Sequence, residues 1–480
     1  EKVLGDVVWV IRKFRPDVII CRFPTTGEGG HGNHTASAIL AQEAFTAAAD
    51  PKRYPEQLKY VQPWQAKRLM WNTFNFGNTN TIAPDQFKVN VGVYNPLLGK
   101  GYGEMAAESR SHHKTQGFGS ARQRADAYEY FKTILGDAPK DDLMDGVNTT
   151  WKRVKDGDAI GTGVSLVSKN FEPEEPYKSV PALVQLLGGV EKINDTYWKA
   201  QKTKELSNLI AACAGLWFES YANEQAYALK DSIEVRSQVI ARYNDRVKVS
   251  QIDGLHFGNG GKVIPANEVQ TFSSKVYGDK ITQPYWLEKP HNTGSYMIDD
   301  ERLVDNPENP DLPKIDYEFI IEGKPVHFER ELVYKYVDPA KGEIYQPVAI
   351  APPVTANIKG QVYIFNSQQP QTVQVKLKSF KNGASGNIHL NAPAGFKISP
   401  ESVAFTNKSK GDEWEQDFTV TPAGNQSQTG FLEAQVSLGM DAKVYNYGIL
   451  SIHYNHIPDI TIFPPAQAKL FTPVLKITGK

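Results

Sequence analysis

The sequence lacks the features that define several large classes of protein. Its 480 residues include only two cysteines, Cys21 and Cys213, which lie far apart in what read as a buried strand and a buried helix. This placement excludes a disulfide scaffold and a zinc cluster of cysteines. No apolar run approaches the roughly 18 residues that cross a bilayer, and the first residues do not form a charged-then-apolar leader. The sequence therefore predicts no membrane span.

A block of charge of one sign is also absent. The 53 Lys and Arg residues nearly cancel the 54 Asp and Glu residues, which leaves a net charge of -1. Binding to nucleic acid or to an anionic membrane needs a basic patch, and none is visible. We therefore expect small-molecule or protein partners, and no nucleic acid.

The length and the changes of pattern predict a multidomain protein. A chain of this length exceeds a single core and suggests about three domains. We predict a partial α/β domain, a helical connector or subdomain, two β-sandwiches and a linker or start of a further domain. The predicted bounds are 1–140, 141–225, 226–350, 351–457 and 458–480, with Ala351-Pro352-Pro353 between the two sandwiches.

Hydrophobic spacing predicts the elements of the first 140 residues. Apolar residues at helical spacing indicate a helix from Val3 to Phe14, and Val18 to Cys21 is a short buried strand. A helix is expected from Thr35 to Ala49, with its first turn beginning at His34. Further predicted elements are strands at 66–72 and 87–93 and a helix at 103–114.

Farther along the chain the spacing changes twice. From Val180 to Tyr221 it is helical, with Leu216 and Trp217 assigned to the helical stripe. Beyond Ala228 the period is 2, as in β-strands, and a turn is predicted at Asn244-Asp245. The run from Leu470 to Ile477 reads as a strand with nothing to pair against. Because the sequence also begins without Met, we expect a fragment.

A glycine-rich loop from Gly27 to His34 carries the residues with the clearest chemistry. It follows the strand at 18–21 and leads into a helix, and ligands bind at this end of strands in open α/β sheets. His31 and His34 could divide a hydrolytic metal site, with one binding zinc and the other handling a proton. The alternative is a pair of loop histidines satisfied by backbone. The loop lacks the Lys of a P-loop, and no G-x-S-x-G elbow is present.

These residues resemble a family. Arg15-Pro16-Asp17-Val18-Ile19-Ile20 followed by Gly30-His31-Gly32-Asn33-His34-Thr35-Ala36 is similar to the second metal motif of the PIG-L (LmbE-like) zinc-dependent N-deacetylases. The resemblance implies a Rossmann-like α/β domain, His34 as a Zn²⁺ ligand and His31 as the catalytic histidine. Asn33 stands where the family has Asp. The segment 106–116 is similar to a second family motif and places His113 near the site. Glu28 and Asn33 are further near-site candidates.

The first motif of this family, A-H-P-D-D-E, is absent from all 480 residues. In the family it supplies a His and an Asp to the metal and an Asp as general base. Catalytic zinc takes three protein ligands plus water, so His34 alone cannot hold it. We expect the missing ligands to lie upstream of the first residue or on a second polypeptide.

Two functions remain open from the sequence. The first is zinc-dependent hydrolysis of an N-acetyl group on an amino sugar or glycoconjugate, and the second is a non-catalytic binding or structural subunit with a degenerate deacetylase-like domain. The segments 394–400 and 418–422 resemble Ig-like modules of bacterial carbohydrate-active enzymes. By that analogy we expect a periplasmic, cell-surface or secreted bacterial protein.

Two other segments have a plainer interpretation. Asp305 to Asp311 has the carboxylates of a calcium loop, but its prolines forbid EF-hand geometry, and we predict a rigid turn. Tyr285-Trp286-Leu287 could face a sugar, and we favour core packing.

Overall fold

A computed structural model describes residues 1–113, 117, 119–243, 246–258, 260–307, 309, 312–423, 428–439 and 443–472. The protein is multidomain and mostly β, with several separate sheets and few helices. Two compact units are present: Glu1–Arg153 with Asp300–Asp305, and Val154–Asp299 with Asn306–Lys480. Among the described residues, no helix is long and apolar enough to cross a membrane.

Several predicted features lie outside the described residues. They are the turn at Asn244-Asp245, the end of the second family motif at 114–116, part of the predicted rigid turn (residues 308, 310 and 311), and the chain beyond Thr472.

The first unit consists of three helices and eight strands within its described part. In chain order they are α1 (Lys2–Phe14), β1 (Val18–Cys21), α2 (Gly32–Ala47), β2 (Arg68–Thr73), β3 (Asn75–Phe76), β4 (Thr79–Asn80), β5 (Phe87–Asn90), β6 (Tyr94–Asn95), β7 (Lys100–Gly101), α3 (Tyr102–Ser111) and β8 (Tyr128–Gly136). Short 3-10 turns occupy Pro55–Lys59, Trp151–Arg153 and Glu301–Leu303.

The main sheet of this unit has the order β1-β2-β8-β5. Strands β1 and β2 run parallel, with Val18 opposite Arg68 and Cys21 opposite Trp71. The other two pairings are antiparallel, so the sheet is mixed. The predicted α1, β1, β2 and β5 are confirmed within a few residues, whereas the Rossmann-like assignment stays a prediction. The pairs β3–β4 and β6–β7 are short hairpins.

Helix α1 packs on α2 through an apolar stripe. Leu4, Val8 and Ile11 meet Ala44 and Ala47 in one buried cluster. These positions follow the i, i+4, i+7 spacing that puts apolar side chains on one helix face. The helix ends at its C-cap residue, which adopts the left-handed conformation that commonly terminates helices.

Arg12 is fully buried beneath this interface, and its guanidinium donates to the end of α2 and the turn that follows. Nε donates to the Ala48 carbonyl at 3.1 Å, and Nη2 donates to the carbonyls of Asp50 and Arg53 at 2.8 Å. Nη1 donates to the Gln57 amide oxygen at 3.1 Å. Burial lowers the pKa of Arg12, but a guanidinium stays protonated at neutral pH. The cation therefore sits at the negative end of the α2 dipole.

The second unit begins with three helices and then becomes β. The helices are α4 (Asp158–Lys169), α5 (Val180–Val190) and α6 (Thr196–Cys213). Its 3-10 turns are Pro176–Ser179 and Tyr285–Leu287. The first group of strands is β9 (Leu216–Ala222), β10 (Ala226–Ala228), β11 (Ser232–Ala241), β12 (Val247–Ile252), β13 (Leu255–His256), β14 (Lys262–Val263), β15 (Gln270–Tyr277), β16 (Lys314–Ile321), β17 (Lys324–Glu331), β18 (Val333–Asp338), β19 (Gly342–Pro347) and β20 (Ala349–Ala351).

The predicted helical stripe through Trp217 is wrong, because the helix ends earlier. Gly215 has φ 59°, a conformation that suits glycine and terminates α6. The next seven residues form β9, whose side chains alternate between buried and exposed from Leu216 onward. Leu216 fits both the helical spacing that precedes it and the two-residue spacing of β9, and Gly215 ends the helix before it.

Two sheets built from these strands stack face to face. Their orders are β15-β11-β9-β18-β19 and β13-β12-β16-β17, with β14 paired to β12. The ring of Phe218 on the first sheet lies 4.8 Å from Tyr317 and 5.0 Å from both Phe319 and Phe328 on the second. Strands β10 and β20 form a separate parallel pair. Tyr285 is buried, which confirms core packing for that residue.

The remaining strands form a second pair of stacked sheets and one separate two-stranded antiparallel sheet. They are β21 (Val354–Ile358), β22 (Val362–Ile364), β23 (Gln371–Ser379), β24 (Ala384–Asn391), β25 (Phe396–Ser399), β26 (Val403–Lys408), β27 (Glu413–Pro422), β28 (Gln428–Leu438), β29 (Lys443–Tyr445), β30 (Leu450–Ile452), β31 (Ile460–Ile462) and β32 (Gln467–Thr472). The orders are β21-β23-β27-β25 and β22-β32-β28-β24-β26, with β29 on β28. One buried cluster joins both sheets, and the Ig-like assignment stays a prediction.

Strand β32 corrects the expectation that the C-terminal run has nothing to pair against. Leu470 lies opposite Tyr363 of β22 in parallel and opposite Gly430 of β28 in antiparallel register. The partner on one side, β22, lies more than 100 residues upstream in the sequence. Such long-range pairing leaves no local signal, so the spacing of residues 470–472 alone could not predict it.

Candidate functional site

The glycine-rich loop connects the C-terminal end of β1 to α2, as the sequence predicts. It contains a tight turn in which the Gly30 backbone N–H donates to the Gly27 carbonyl at 3.0 Å. Gly27 has φ 101° and Gly30 has φ 77°. These left-handed conformations are strained for residues with a side chain, so both positions favour glycine. These two glycines and the turn between them set the path of the backbone that leads to His31 and His34.

Helix α2 begins at Gly32, two residues before the predicted start. His31 is the N-cap residue, with φ -122° and ψ 138°. Its carbonyl accepts from the backbone N–H groups of His34 at 3.0 Å and Thr35 at 3.3 Å. Glycine and asparagine have low helix propensity, which is why the sequence pattern places the start too late. His34 thus stands in the first helical turn rather than at its boundary.

The imidazole of His34 is held by two neighbours. Its Nδ1 lies 3.1 Å from the Gly29 carbonyl oxygen. The Phe23 ring stacks on it with a centroid distance of 4.0 Å and an interplanar angle of 5°. Because a carbonyl only accepts, this hydrogen bond requires the proton on Nδ1. In the neutral ring Nε2 then has a free lone pair, the state in which histidine binds a metal.

His31 stands beside His34 and faces solvent. The ring centroids are 5.1 Å apart and the planes meet at 89°. Among the residues that the structure describes, the His31 side chain makes no hydrogen bond. Both of its ring nitrogens are therefore available to a ligand. The structure brings the two predicted histidines together, whereas their chemical roles stay predictions.

Gly29 sets the distance between the loop and the His34 ring, and this gives a testable prediction. A Cβ at Gly29 would lie 2.8 Å from Cδ1 of Phe23 and 3.1 Å from Cβ of His34. We expect Gly29→Ala to displace both rings, to destabilise the first unit by about 1–3 kcal/mol and to lower any activity of the site.

The matched control for this prediction is Gly32→Ala, because a Cβ at Gly32 meets nothing within 4 Å. Alanine also favours the helix more than glycine does, so the control should be neutral or stabilising by about 0.5–1 kcal/mol. Thermal unfolding and the line widths of the His34 ring resonances measure both effects. Equal behaviour of the two variants would contradict the close packing at Gly29.

The other two loop candidates are less constrained. Glu28 is exposed, and its carboxylate accepts a hydrogen bond from the Thr26 hydroxyl. That bond lowers the pKa of Glu28, so the loop carries a negative charge at neutral pH. Asn33 is exposed in the first turn of α2, and its backbone carbonyl accepts from Ser37 Oγ at 2.8 Å. Neither side chain is joined to a loop histidine by a hydrogen bond in the described part of the chain.

His113 lies just beyond α3, which ends three residues before the predicted Lys114. Its side chain is exposed, and its backbone N–H donates to the Arg110 carbonyl at 3.0 Å. No hydrogen bond or ring contact between described residues joins His113 to His31 or His34. The placement of His113 near the site stays a prediction.

The pattern analysis missed a polar cluster where β1 and β2 end. Arg22 Nη1 donates to the Asn72 side-chain oxygen and lies 3.6 Å from Glu129 Oε2. Asn72 Nδ2 in turn donates to Glu129 at 2.7 Å. Phe23, which stacks on His34, follows Arg22 directly. The sequence position of Arg22 and Phe23 could have revealed them, because both follow β1 directly and the C-terminal ends of such strands commonly carry functional residues.

Asp17 of the R-P-D segment has a structural partner at the opposite end of β1. Its carboxylate receives two hydrogen bonds from Arg153, at 2.9 and 3.0 Å. A cavity of about 470 Å³ is lined by this pair together with Lys67 and Asp137, which also form an ion pair. Asp17 therefore orders the start of the strand, and the histidines lie at the strand's other end.

The donor set near His34 is incomplete within the described residues. There, no group of three or more His, Cys, Asp or Glu side chains is arranged to hold a metal ion. Cys21, at the end of β1, is half-buried and free, and burial raises the pKa of its thiol. His34 offers one imidazole of suitable tautomer, whereas a catalytic zinc ion takes three protein ligands.

Comparisons with known proteins give one short sequence match. No protein-family profile matches the chain. Over 96 residues the chain is 30% identical to the mycothiol S-conjugate amidase of Streptomyces coelicolor, and this match covers 20% of the chain and 32% of the amidase. The chain thus spans about a third of the length of the curated relative it matches. That amidase belongs to the LmbE/PIG-L family, so the match is compatible with a PIG-L-like domain.

Several solved structures resemble part of this chain at low TM-scores. Alpha-2-macroglobulin of E. coli shares 11% identity at a TM-score of 0.19, with 54% of this chain and 16% of that chain covered. The Salmonella protein shares 9% at the same TM-score and coverage. A Porphyromonas gingivalis protein of unknown function shares 10% at a TM-score of 0.14, with 53% and 99% covered. At such scores these likenesses carry no argument.

Proposed function

We propose that the first unit belongs to an amide hydrolase of the PIG-L type that removes an N-acetyl group from an amino sugar or glycoconjugate. The observation that carries this proposal is the His34 ring, whose Nδ1 is held by the Gly29 carbonyl so that Nε2 is left as a ligand. The identity with an amidase over 96 residues supports the hydrolase class. The substrate and the dependence on zinc belong to the proposal.

The two histidines have separate tasks in this proposal. His34 binds the metal through Nε2, and the Phe23 stack and the Gly29 hydrogen bond keep its ring in one orientation. His31 is exposed beside it, with no hydrogen bond to the described residues. A protonated imidazole in that position could donate a proton to the amine that leaves.

The described residues do not by themselves fit a catalytic zinc ion. A catalytic zinc site has three protein ligands and an open position for water. Among the described residues of this loop, His34 is the candidate ligand whose other ring nitrogen has a hydrogen-bond partner, the Gly29 carbonyl. No larger donor group is found among the described residues. The proposal therefore requires at least two further ligands, from residues outside the described part or from a second polypeptide.

The incomplete donor set also favours a second candidate, a non-catalytic binding or structural subunit. In that case the loop would keep its shape without binding metal. Asn33, which stands where the family has an acidic residue, fits this alternative as well. The two candidates differ in a measurable property, namely whether zinc binds with a definite stoichiometry.

The test combines metal analysis with an assay of acetate release. The protein, purified together with any polypeptide that binds it, is dialysed against zinc, its metal content is measured, and acetate is quantified with N-acetylglucosamine conjugates as substrates. We expect one zinc per chain and acetate release that a chelator abolishes. Stoichiometric zinc without acetate release would contradict the substrate class, and absence of both would favour the non-catalytic subunit.

A further inference from the structure

The second unit contains a cavity of about 730 Å³ between α6 and β17. This volume lies within the range of small-molecule sites, roughly 300–1,000 Å³. Nothing in the proposed hydrolase function uses it. The lining residues that matter for its chemistry are Lys199, Lys204, Ser207 and Asn208 of α6 and Phe328 and Arg330 of β17.

Arg330 lies on the face of β17 that carries the buried residues. Val326 and Phe328 are buried on one face of β17, and the two-residue period puts Arg330 on that face. Its guanidinium carbon lies 4.7 Å from the Phe218 ring centroid and 5.5 Å from that of Phe328. The cation is thus half-buried against two aromatic rings, which attract it but do not neutralise it.

The partners of this guanidinium are neutral. Nη1 donates to the Glu329 backbone carbonyl at 3.0 Å, and Nη2 donates to the Asn208 side-chain oxygen at 3.3 Å. Within the described part of the chain, Arg330 forms no ion pair with a carboxylate. Partial burial lowers its pKa, as expected for a charge that has lost solvent without gaining a counter-charge. A half-buried guanidinium without a carboxylate partner can donate hydrogen bonds from its remaining N–H groups to the oxygens of an anionic ligand.

The lining contains two further cations, Lys199 and Lys204. Lys199 is half-buried and Lys204 exposed, and neither makes an ion pair with a described residue. Of the two carboxylates in the lining, Glu329 is paired with Lys314 at 2.7 Å. Glu191 remains, so three cationic groups face one carboxylate that is not already neutralised.

We propose that this cavity binds a small organic anion, a carboxylate or a phosphate monoester carried on a polar molecule of up to about disaccharide size. Arg330 has five N–H donors, of which two have partners, and its planar fork suits an oxyanion. Lys199 and Lys204 add charge at the rim, and Ser207 and Asn208 offer polar groups to the remainder of the ligand.

The test is calorimetric titration of the whole chain with D-glucuronate, D-glucose 6-phosphate and neutral D-glucose. We expect at least one of the two anions to bind at least about tenfold more tightly than glucose, because a charge-assisted hydrogen bond contributes about 1.5–3 kcal/mol. The stronger of the two anions identifies whether the site takes carboxylates or phosphates. Equal binding of all three sugars, or no binding of either anion, overturns the proposal.

Two variants and a matched control locate the site. Arg330→Gln should weaken binding of the anion about tenfold or more, and Lys204→Ala should weaken it severalfold. Lys202→Ala removes the same charge from the same helix, but Lys202 pairs with Glu205 and does not line the cavity. It should leave binding unchanged. If Arg330→Gln fails to fold, exposed Lys204 still decides: equal affinities of Lys204→Ala and Lys202→Ala would overturn the proposal.

Discussion

Replacing Arg12 with methionine will destabilise the first unit by several kcal/mol, because a buried carbonyl that loses its hydrogen-bond donor costs about 1–3 kcal/mol. Methionine fills part of the volume but donates no hydrogen bond. The carbonyls of Ala48, Asp50 and Arg53 would each lose a charged donor inside the fold. Because two of them close the turn after α2, that turn should open first.

The measurement is amide hydrogen exchange of the peptides that cover α1, the end of α2 and residues 50–60, since a multidomain chain need not unfold in one step. Lys13→Met is the matched control, because Lys13 is the next residue and pairs with Asp305 at the surface. A surface pair contributes only about 0–1 kcal/mol. If both variants exchange at the same rate, the Arg12 network does not hold this part of the fold.

Arg12 also shows what sequence patterns could not reveal. The apolar stripe of α1 predicts the helix and its buried face, because both follow from residues three and four apart. An arginine in that stripe reads as a solvated side chain. Its partners lie 35 to 45 residues away, and they are mostly backbone carbonyls that any residue provides. Only the folded chain shows that this charge is enclosed.

In the candidate site, too, the sequence predicts the local features but not the contacts that form on folding. The loop, its two histidines and the helix that follows could be predicted, because glycine spacing and the strand before it are local signals. The contacts that orient His34 could not. One is a carbonyl, at Gly29, and the other is the Phe23 ring, whose stacking depends on the turn between them. The start of α2 was misplaced because helix propensity describes the interior of a helix better than its cap.

His34→Ala should reduce zinc affinity at least about 100-fold and abolish acetate release. Loss of a residue that merely supports a ligand already costs about 10–100-fold in metal affinity, and loss of the ligand itself costs no less. His31→Ala should leave zinc affinity within about twofold and lower kcat about 10²–10⁴-fold, the usual contribution of a positioned acid or base. The split between the two variants follows from the geometry, in which one ring is held and the other is free.

Equilibrium dialysis with zinc and the acetate assay, run in parallel on both variants, measure this split. His112→Ala serves as the control, because it removes an exposed histidine at the C-terminal cap of α3 and touches neither loop residue. A His34→Ala protein that still binds zinc as tightly as the parent would show that His34 is not a ligand. A His31→Ala protein that loses zinc as well would make both histidines ligands, and the proton-handling role of His31 would then have to be assigned to another group.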